Sequence, residues 1–141
     1  MKGGNVTKIL LVSHGRLALG CCEAAKMILG DSADIDYVCL MPDSDIGEFR
    51  QHVYTKLNSY TDTENIIAIC DMQGGSPYNT LIEALDLDKS YILTGMSLPL
   101  VLQIALEKTI TKERVIAIVE KAKEALSLYE HIETSEGDES L

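Results

Sequence analysis

Asn65-Ile66-Ile67-Ala68-Ile69-Cys70-Asp71-Met72-Gln73-Gly74-Gly75-Ser76-Pro77 holds the transition that decides the fold. Its first six residues are an apolar run rich in branched side chains, which predicts a buried strand over 65–70. A polar turn with two glycines follows. Ser76-Pro77 then marks a helix start, with the hydroxyl expected to cap and proline expected in the first helical position. The helix is expected to run to about Leu85.

The same alternation continues in both directions. Upstream, Lys8 to Val12 (KILLV) reads as a strand ending at Ser13-His14-Gly15. From Arg16 to Leu29, Leu17, Cys21, Ala24, Ala25 and Ile28 recur at helical spacing, and Gly30 stops the segment. Ile35 to Met41 is a second strand ended by Pro42. Asp43 or Ser44 is expected to cap a helix to about Leu57, with Ile46, Phe49, Val53 and Leu57 on one face. Downstream, Ser90 to Thr94 reads as a fourth strand, and Ser97-Leu98-Pro99 opens a helix to about Glu107. A last helix from about Lys112 to Leu128 is expected to turn Val115, Ile118, Val119, Ala122 and Leu126 inward. Nearly continuous apolar strands separated by helices predict a three-layer, doubly wound α/β domain with a mostly parallel sheet ordered 2-1-3-4. Residues 1–133 read as one domain, and the acidic segment 134–141 as a disordered tail.

Composition excludes several functions. The chain has 141 residues, 46% hydrophobic and 24% charged, the balance of a globular domain. Its net charge is −10, with five acidic residues and no Lys or Arg between Glu130 and Leu141. Such a surface does not favour nucleic acid or anionic lipid. Cys21, Cys22, Cys39 and Cys70 lack metal-site or disulfide spacing and read as buried free thiols. The N-terminus lacks the apolar core of a signal peptide, and no run reaches the ~18 apolar residues of a membrane span. A cytoplasmic protein is expected. The five methionines read as core filler.

The reactive-looking residues lie where strands end. His14 follows the first strand and Asp71 the third. In a sheet ordered 2-1-3-4, those strands are neighbours at the switch point, where open α/β sheets bind ligands. An imidazole is a nucleophile only at an unprotonated nitrogen, and a carboxylate holding the other nitrogen's proton fixes the tautomer. Asp71 is the candidate orienter of His14. Gly74 and Gly75 let backbone N–H groups approach an anion at a helix N-terminus, and Ser76 adds a hydroxyl. A histidine facing such a cradle suits phosphoryl transfer, without a metal or other cofactor. Arg16 and Asn79 are further candidates for phosphate or partner contact, as is Tyr78 for lining the crevice. His52 and His131 read as surface residues.

Ile9-Leu10-Leu11-Val12-Ser13-His14-Gly15, Asp71-x-x-Gly74-Gly75-Ser76-Pro77-x-Asn79 and Gly95-Met96-Ser97-Leu98-Pro99-Leu100 together resemble the enzyme IIA component of the mannose/fructose/sorbose class of the bacterial sugar phosphotransferase system. The resemblance covers about residues 7–130. It implies that His14 accepts a phosphoryl group from the carrier protein HPr and passes it to a separate enzyme IIB. The IIC and IID membrane components then act indirectly, and the protein is peripheral to the membrane through them. Asp71 matches the family's histidine-orienting aspartate, and Ser76 the hydroxyl near the phosphoryl group. The resemblance also implies a homodimer exchanging a C-terminal antiparallel edge strand, around Leu128–Glu133.

Three alternatives remain. The phosphotransfer subunit of dihydroxyacetone kinase shares the histidine turn but lacks the segment Gly74 to Asn79. A histidine phosphatase wants Arg before His-Gly, where this chain has Ser13. A regulatory IIA-like module would be phosphorylated on His14 without an accepting IIB.

Overall fold

A computed structural model describes residues 7–61 and 65–132. The elements in chain order are β1 (Thr7–His14), α1 (Leu17–Leu29), β2 (Ile35–Leu40), α2 (Ile46–Asn58), β3 (Asn65–Cys70), α3 (Gly75–Ala84), β4 (Ser90–Leu93), α4 (Leu98–Leu106) and α5 (Lys112–Lys123). The strands form one sheet in the order β2-β1-β3-β4, and every pairing is parallel. Parallel neighbours require crossovers, and the helices between them provide these.

Residue parity in the strands divides the core in two. Ile9, Leu11, Ile67 and Ile69 face α1, α4 and α5. Leu10, Val12, Ala68 and Cys70 face the opposite layer, with Phe49 and Val53 of α2 and Leu81 of α3. Both faces of β1 and β3 are therefore covered, which is why their sequences are apolar without alternation. Burying each large side chain contributes roughly 1.5–3 kcal/mol.

Four helices differ from their sequence reading, α3 at its start and three others as follows. In α1 the buried positions are Ala18, Cys22 and Ala25, while Leu17 and Ile28 are 52% and 61% exposed. That helix is apolar on most sides, so two stripes one residue apart were both compatible with its spacing, and packing on β1 and β2 selected the smaller residues. The cap of α2 is Asp45, whose carboxylate accepts the Glu48 N–H, rather than Asp43 or Ser44. Ser44 instead accepts the Met41 N–H in the preceding turn. Ile46, expected inside, is 46% exposed at the open end of α2.

The last helix ends at Lys123, not Leu128, and Leu126 is 92% exposed instead of inward. Short bonds from the Glu124, Ala125 and Leu126 N–H groups to carbonyls three residues back tighten its last turn. Val115 and Ile118 are buried as expected, with Val119 and Ala122 packed beside them. Residues 128–132 form no strand among the described residues. Glu133 and the acidic tail lie outside the described residues, as does Met1. The methionines are also less internal than expected. Met27 and Met72 are 86% and 54% exposed, and Met96 packs against the core.

Candidate functional site

His14 is the last residue of β1, and Asp71 is the first after β3. These strands are direct neighbours with Val12 opposite Cys70, so both side chains emerge at the same sheet edge. Asp71 Oδ2 accepts the His14 backbone N–H at 2.9 Å and lies 2.8 Å from the ring Nδ1. Its Oδ1 accepts the Met72 N–H at 3.0 Å. An ionised carboxylate only accepts, so Nδ1 donates to it, and in the neutral form of the ring Nε2 keeps the free lone pair.

The carboxylate is ionised for a visible reason. Burial pushes the Asp71 pKa up, but the His14 backbone N–H, the ring hydrogen bond and the ring charge outweigh it and hold it below the usual carboxylate value. The pair is also asymmetric towards solvent, with side-chain exposures of 48% for His14 and 11% for Asp71. The ring is open to solvent and the carboxylate covered.

The ring lies against the glycine turn. A Cβ on Gly75 would stand 3.2 Å from His14 Cε1 and 3.4 Å from Nε2, so only a glycine leaves that approach free. Gly74 and Gly75 have φ of +89° and +86°, a left-handed backbone that favours glycine. They lead straight into α3, whose first-turn N–H groups have no intrahelical acceptor. Ser76 is not the cap. The helix already starts at Gly75 with Gly74 as its N-cap, and no side chain caps it. Pro77 accordingly sits two residues inside, still within the first turn, where a missing N–H costs no hydrogen bond.

One residue of this site was not singled out from the sequence. Ser13 is fully buried, and its hydroxyl accepts the Ala18 N–H at 2.8 Å while donating to the Gly15 carbonyl at 3.0 Å. It thereby ties the end of β1 to the start of α1, the turn that carries His14. Gly15, at φ +59°, extends the ladder by donating to the Leu40 carbonyl at 2.7 Å. A serine a few residues before a helix start is the signal that was available.

The remaining candidates separate. Arg16 is exposed at the N-cap of α1, and its side chain forms no ion pair among the described residues. Asn79 is exposed on α3, whereas Tyr78 packs against the α2–α3 core layer. His52 and His131 are exposed and remote from the His14–Asp71 pair in the chain. All four cysteines are free, with Cys22 and Cys70 buried and Cys21 and Cys39 half-buried. Burial raises the Cys21, Cys22 and Cys70 thiols, the last to about 11, so these are not poised thiolates. Among the described residues, no group of three or more His, Cys, Asp and Glu is placed to hold a metal ion. No helix among them is long and apolar enough to cross a membrane.

A histidine–aspartate pair at the switch point of a parallel sheet, beside a glycine turn and a helix N-terminus, defines an α/β domain with one polar crevice at its strand ends. The chain belongs to the family of PTS system fructose IIA components (EIIA-man), whose pattern matches residues 8–123. The PTS system mannose-specific EIIAB component of Escherichia coli strain K12 is 21% identical over 96 residues, covering 67% of this chain. The match takes in 30% of that protein, so the chain spans less than a third of the curated relatives it resembles.

Solved structures agree on the fold. The PTS IIA protein associated with the fucose utilization operon of Streptococcus pneumoniae is 29% identical with a TM-score of 0.79, over 90% of this chain and 96% of that one. The mannose/sorbose specific IIA subunit from Enterococcus faecalis is 20% identical with a TM-score of 0.81, over 92% and 99%.

Proposed function

We propose that the chain is the phosphocarrier of a sugar phosphotransferase system, with His14 accepting a phosphoryl group from phospho-HPr and passing it to an enzyme IIB. The observation that carries this reading is the His14–Asp71 pair, with Nδ1 committed to the carboxylate and Nε2 open above Gly75. In the first half-reaction the Nε2 lone pair attacks phosphorus, and the bond from phosphorus to the donor imidazole breaks with its electron pair leaving on the donor nitrogen. The Nδ1 proton stays between His14 and Asp71, whose charge stabilises the positive ring. The backbone N–H groups of Gly75 and Ser76, with the Ser76 hydroxyl, meet the equatorial phosphoryl oxygens, and Gly74 sets their approach. Arg16 and Asn79, both exposed, are assigned contact with the partner or the phosphate. Transfer to IIB reverses the same step.

The rest of the reading follows the family. One IIA domain over residues 1–133 works in the cytoplasm and serves the IIC and IID components through IIB. Residues 126–132 support a homodimer with an exchanged edge strand, since Leu126, Leu128, Tyr129 and Ile132 are 92%, 81%, 84% and 71% exposed in the single chain.

The test is phosphorylation by phosphoenolpyruvate, enzyme I and HPr, read by intact mass for wild type and His14→Ala. An acid-labile gain of one phosphoryl group, absent from the variant, is expected. No gain with active HPr overturns the reading.

A further inference from the structure

Gly95-Met96-Ser97-Leu98-Pro99-Leu100 is a motif that the phosphoryl chemistry above does not use. Its place in the fold links it to Asp71. Strand β4 ends at Leu93, paired with Ile69, so Cys70 lies one residue beyond the last β3–β4 pair. Cys70 is fully buried, and a buried carbonyl needs a donor. The chain turns at Gly95, with φ +76°, and brings the Met96 N–H to the Cys70 carbonyl at 3.2 Å. This donor is held firmly. The Met96 side chain packs against the core layer of α1, α4 and α5. Helix α4 starts two residues later, where the Ser97 hydroxyl accepts the Leu100 N–H.

We propose that the β4–α4 turn positions Asp71, with Gly95 as the positioning residue that lets Met96 hold the Cys70 carbonyl. That carbonyl and the Asp71 nitrogen belong to one planar peptide, so the bond that holds the oxygen sets the direction in which Asp71 leaves β3. Asp71 has little room for error. Its Oδ2 serves the His14 backbone N–H at 2.9 Å and the ring Nδ1 at 2.8 Å, and a tilt of the peptide moves it off both. A residue with a Cβ rarely adopts the φ of Gly95, so a side chain there relaxes the turn and draws the Met96 N–H away. The effect on His14 passes through Met96, Cys70 and Asp71 in turn. The inference rests on the orienting role given to Asp71 above.

The test compares Gly95→Ala with Gly30→Ala. Both glycines have positive φ, +76° and +102°, and a Cβ on either meets nothing within 4 Å, so each substitution brings backbone strain without a clash. Only Gly95 is tied to Asp71. The ¹⁵N shifts of the His14 ring report whether Nδ1 or Nε2 carries the proton, and phosphoramidate, a donor too small to need docking, gives the transfer rate. In Gly95→Ala the Nδ1–H form is expected to give way to Nε2–H, and the rate to fall at least about tenfold, as a small misplacement does. Gly30→Ala is expected to keep both at the wild-type level. Gly95→Asn is expected to restore both, because asparagine tolerates left-handed backbone. Should Gly95→Ala fail to fold, Met96→Ala removes the donor's anchor in the core but keeps its N–H, and carries the same readouts in the same direction. A wild-type ring tautomer in the folded variant, an equal loss in Gly30→Ala, or no recovery in Gly95→Asn overturns the positioning role. If wild type takes phosphate on His14 from neither phosphoramidate nor phospho-HPr, the function proposed above fails, and the ring tautomers still decide the positioning role.

Discussion

Asp71 Oδ2 takes two hydrogen bonds from one residue, the His14 backbone N–H at 2.9 Å and the ring Nδ1 at 2.8 Å. Backbone and ring of the same histidine are thus held by one atom, which fixes where β1 ends and where Nε2 points. Removing the carboxylate loosens both. Asp71→Ala is expected to slow transfer about 10²- to 10⁴-fold, the usual worth of a positioned acid–base partner. The fold should persist, because Asp71 lies at the sheet edge outside both core layers. Single-turnover transfer from phospho-HPr checks the rate, and imidazole ¹⁵N shifts check the loss of the Nδ1–H tautomer.

Gly74 and Gly75 share nearly the same φ but not the same surroundings. A methyl on Gly74 meets nothing within 4 Å, while one on Gly75 meets the His14 ring at 3.2 Å. Both alanine variants should lose about 1–2 kcal/mol to left-handed strain. Only Gly75→Ala should also lose transfer, by about 10²-fold or more, since it crowds Nε2 and the donors beside it. Urea midpoints and transfer rates measured on the pair separate strain from occlusion.

Ser13 is buried with both roles of its hydroxyl in use. Ser13→Ala leaves the Ala18 N–H without its acceptor and is expected to cost about 1–2 kcal/mol, as loss of a helix cap does. Ser13→Thr keeps the hydroxyl and should recover part of this. Denaturant midpoints of the two variants give the comparison.

Acid should weaken the site in a defined direction. Folding lowers the Asp71 pKa, so its contribution is complete above the unfolded value of about 3.9 and is lost as pH falls through the lower folded value. The stability gap between wild type and Asp71→Ala should therefore be largest near neutral pH and close in strong acid. Urea midpoints of both proteins across that range test the sign.

Much of the fold was legible because its strands are buried on both faces. Runs such as Asn65–Cys70 are apolar without interruption, and glycine, proline and serine punctuate the crossovers at positions the structure uses, with Ser97 capping α4 through the Leu100 N–H. Helix faces were less legible. Leu17 and Ala18 are both apolar, and only contact with the sheet made the smaller one internal. The end of α5 was hidden for a related reason, since apolar residues continue to Leu128 but Leu126 and Leu128 stay exposed among the described residues. At the site, the histidine, the aspartate and the glycine turn were readable as chemistry. Ser13 was not, because its work is the return of two bonds across a turn that sequence spacing only hints at.

The sequence by itself determined the strand–turn–helix alternation and the residue types of the crevice that holds His14 and Asp71, because these follow from local propensity and from what each side chain is able to do. Tertiary structure alone decided that His14 and Asp71, 57 positions apart, share an oxygen. It also decided that Gly75 lies beneath the ring and that Leu17, Ile46 and Met72 stay outside the core. Each of these depends on which strands pair and in what register, a global outcome that no local run of residues specifies.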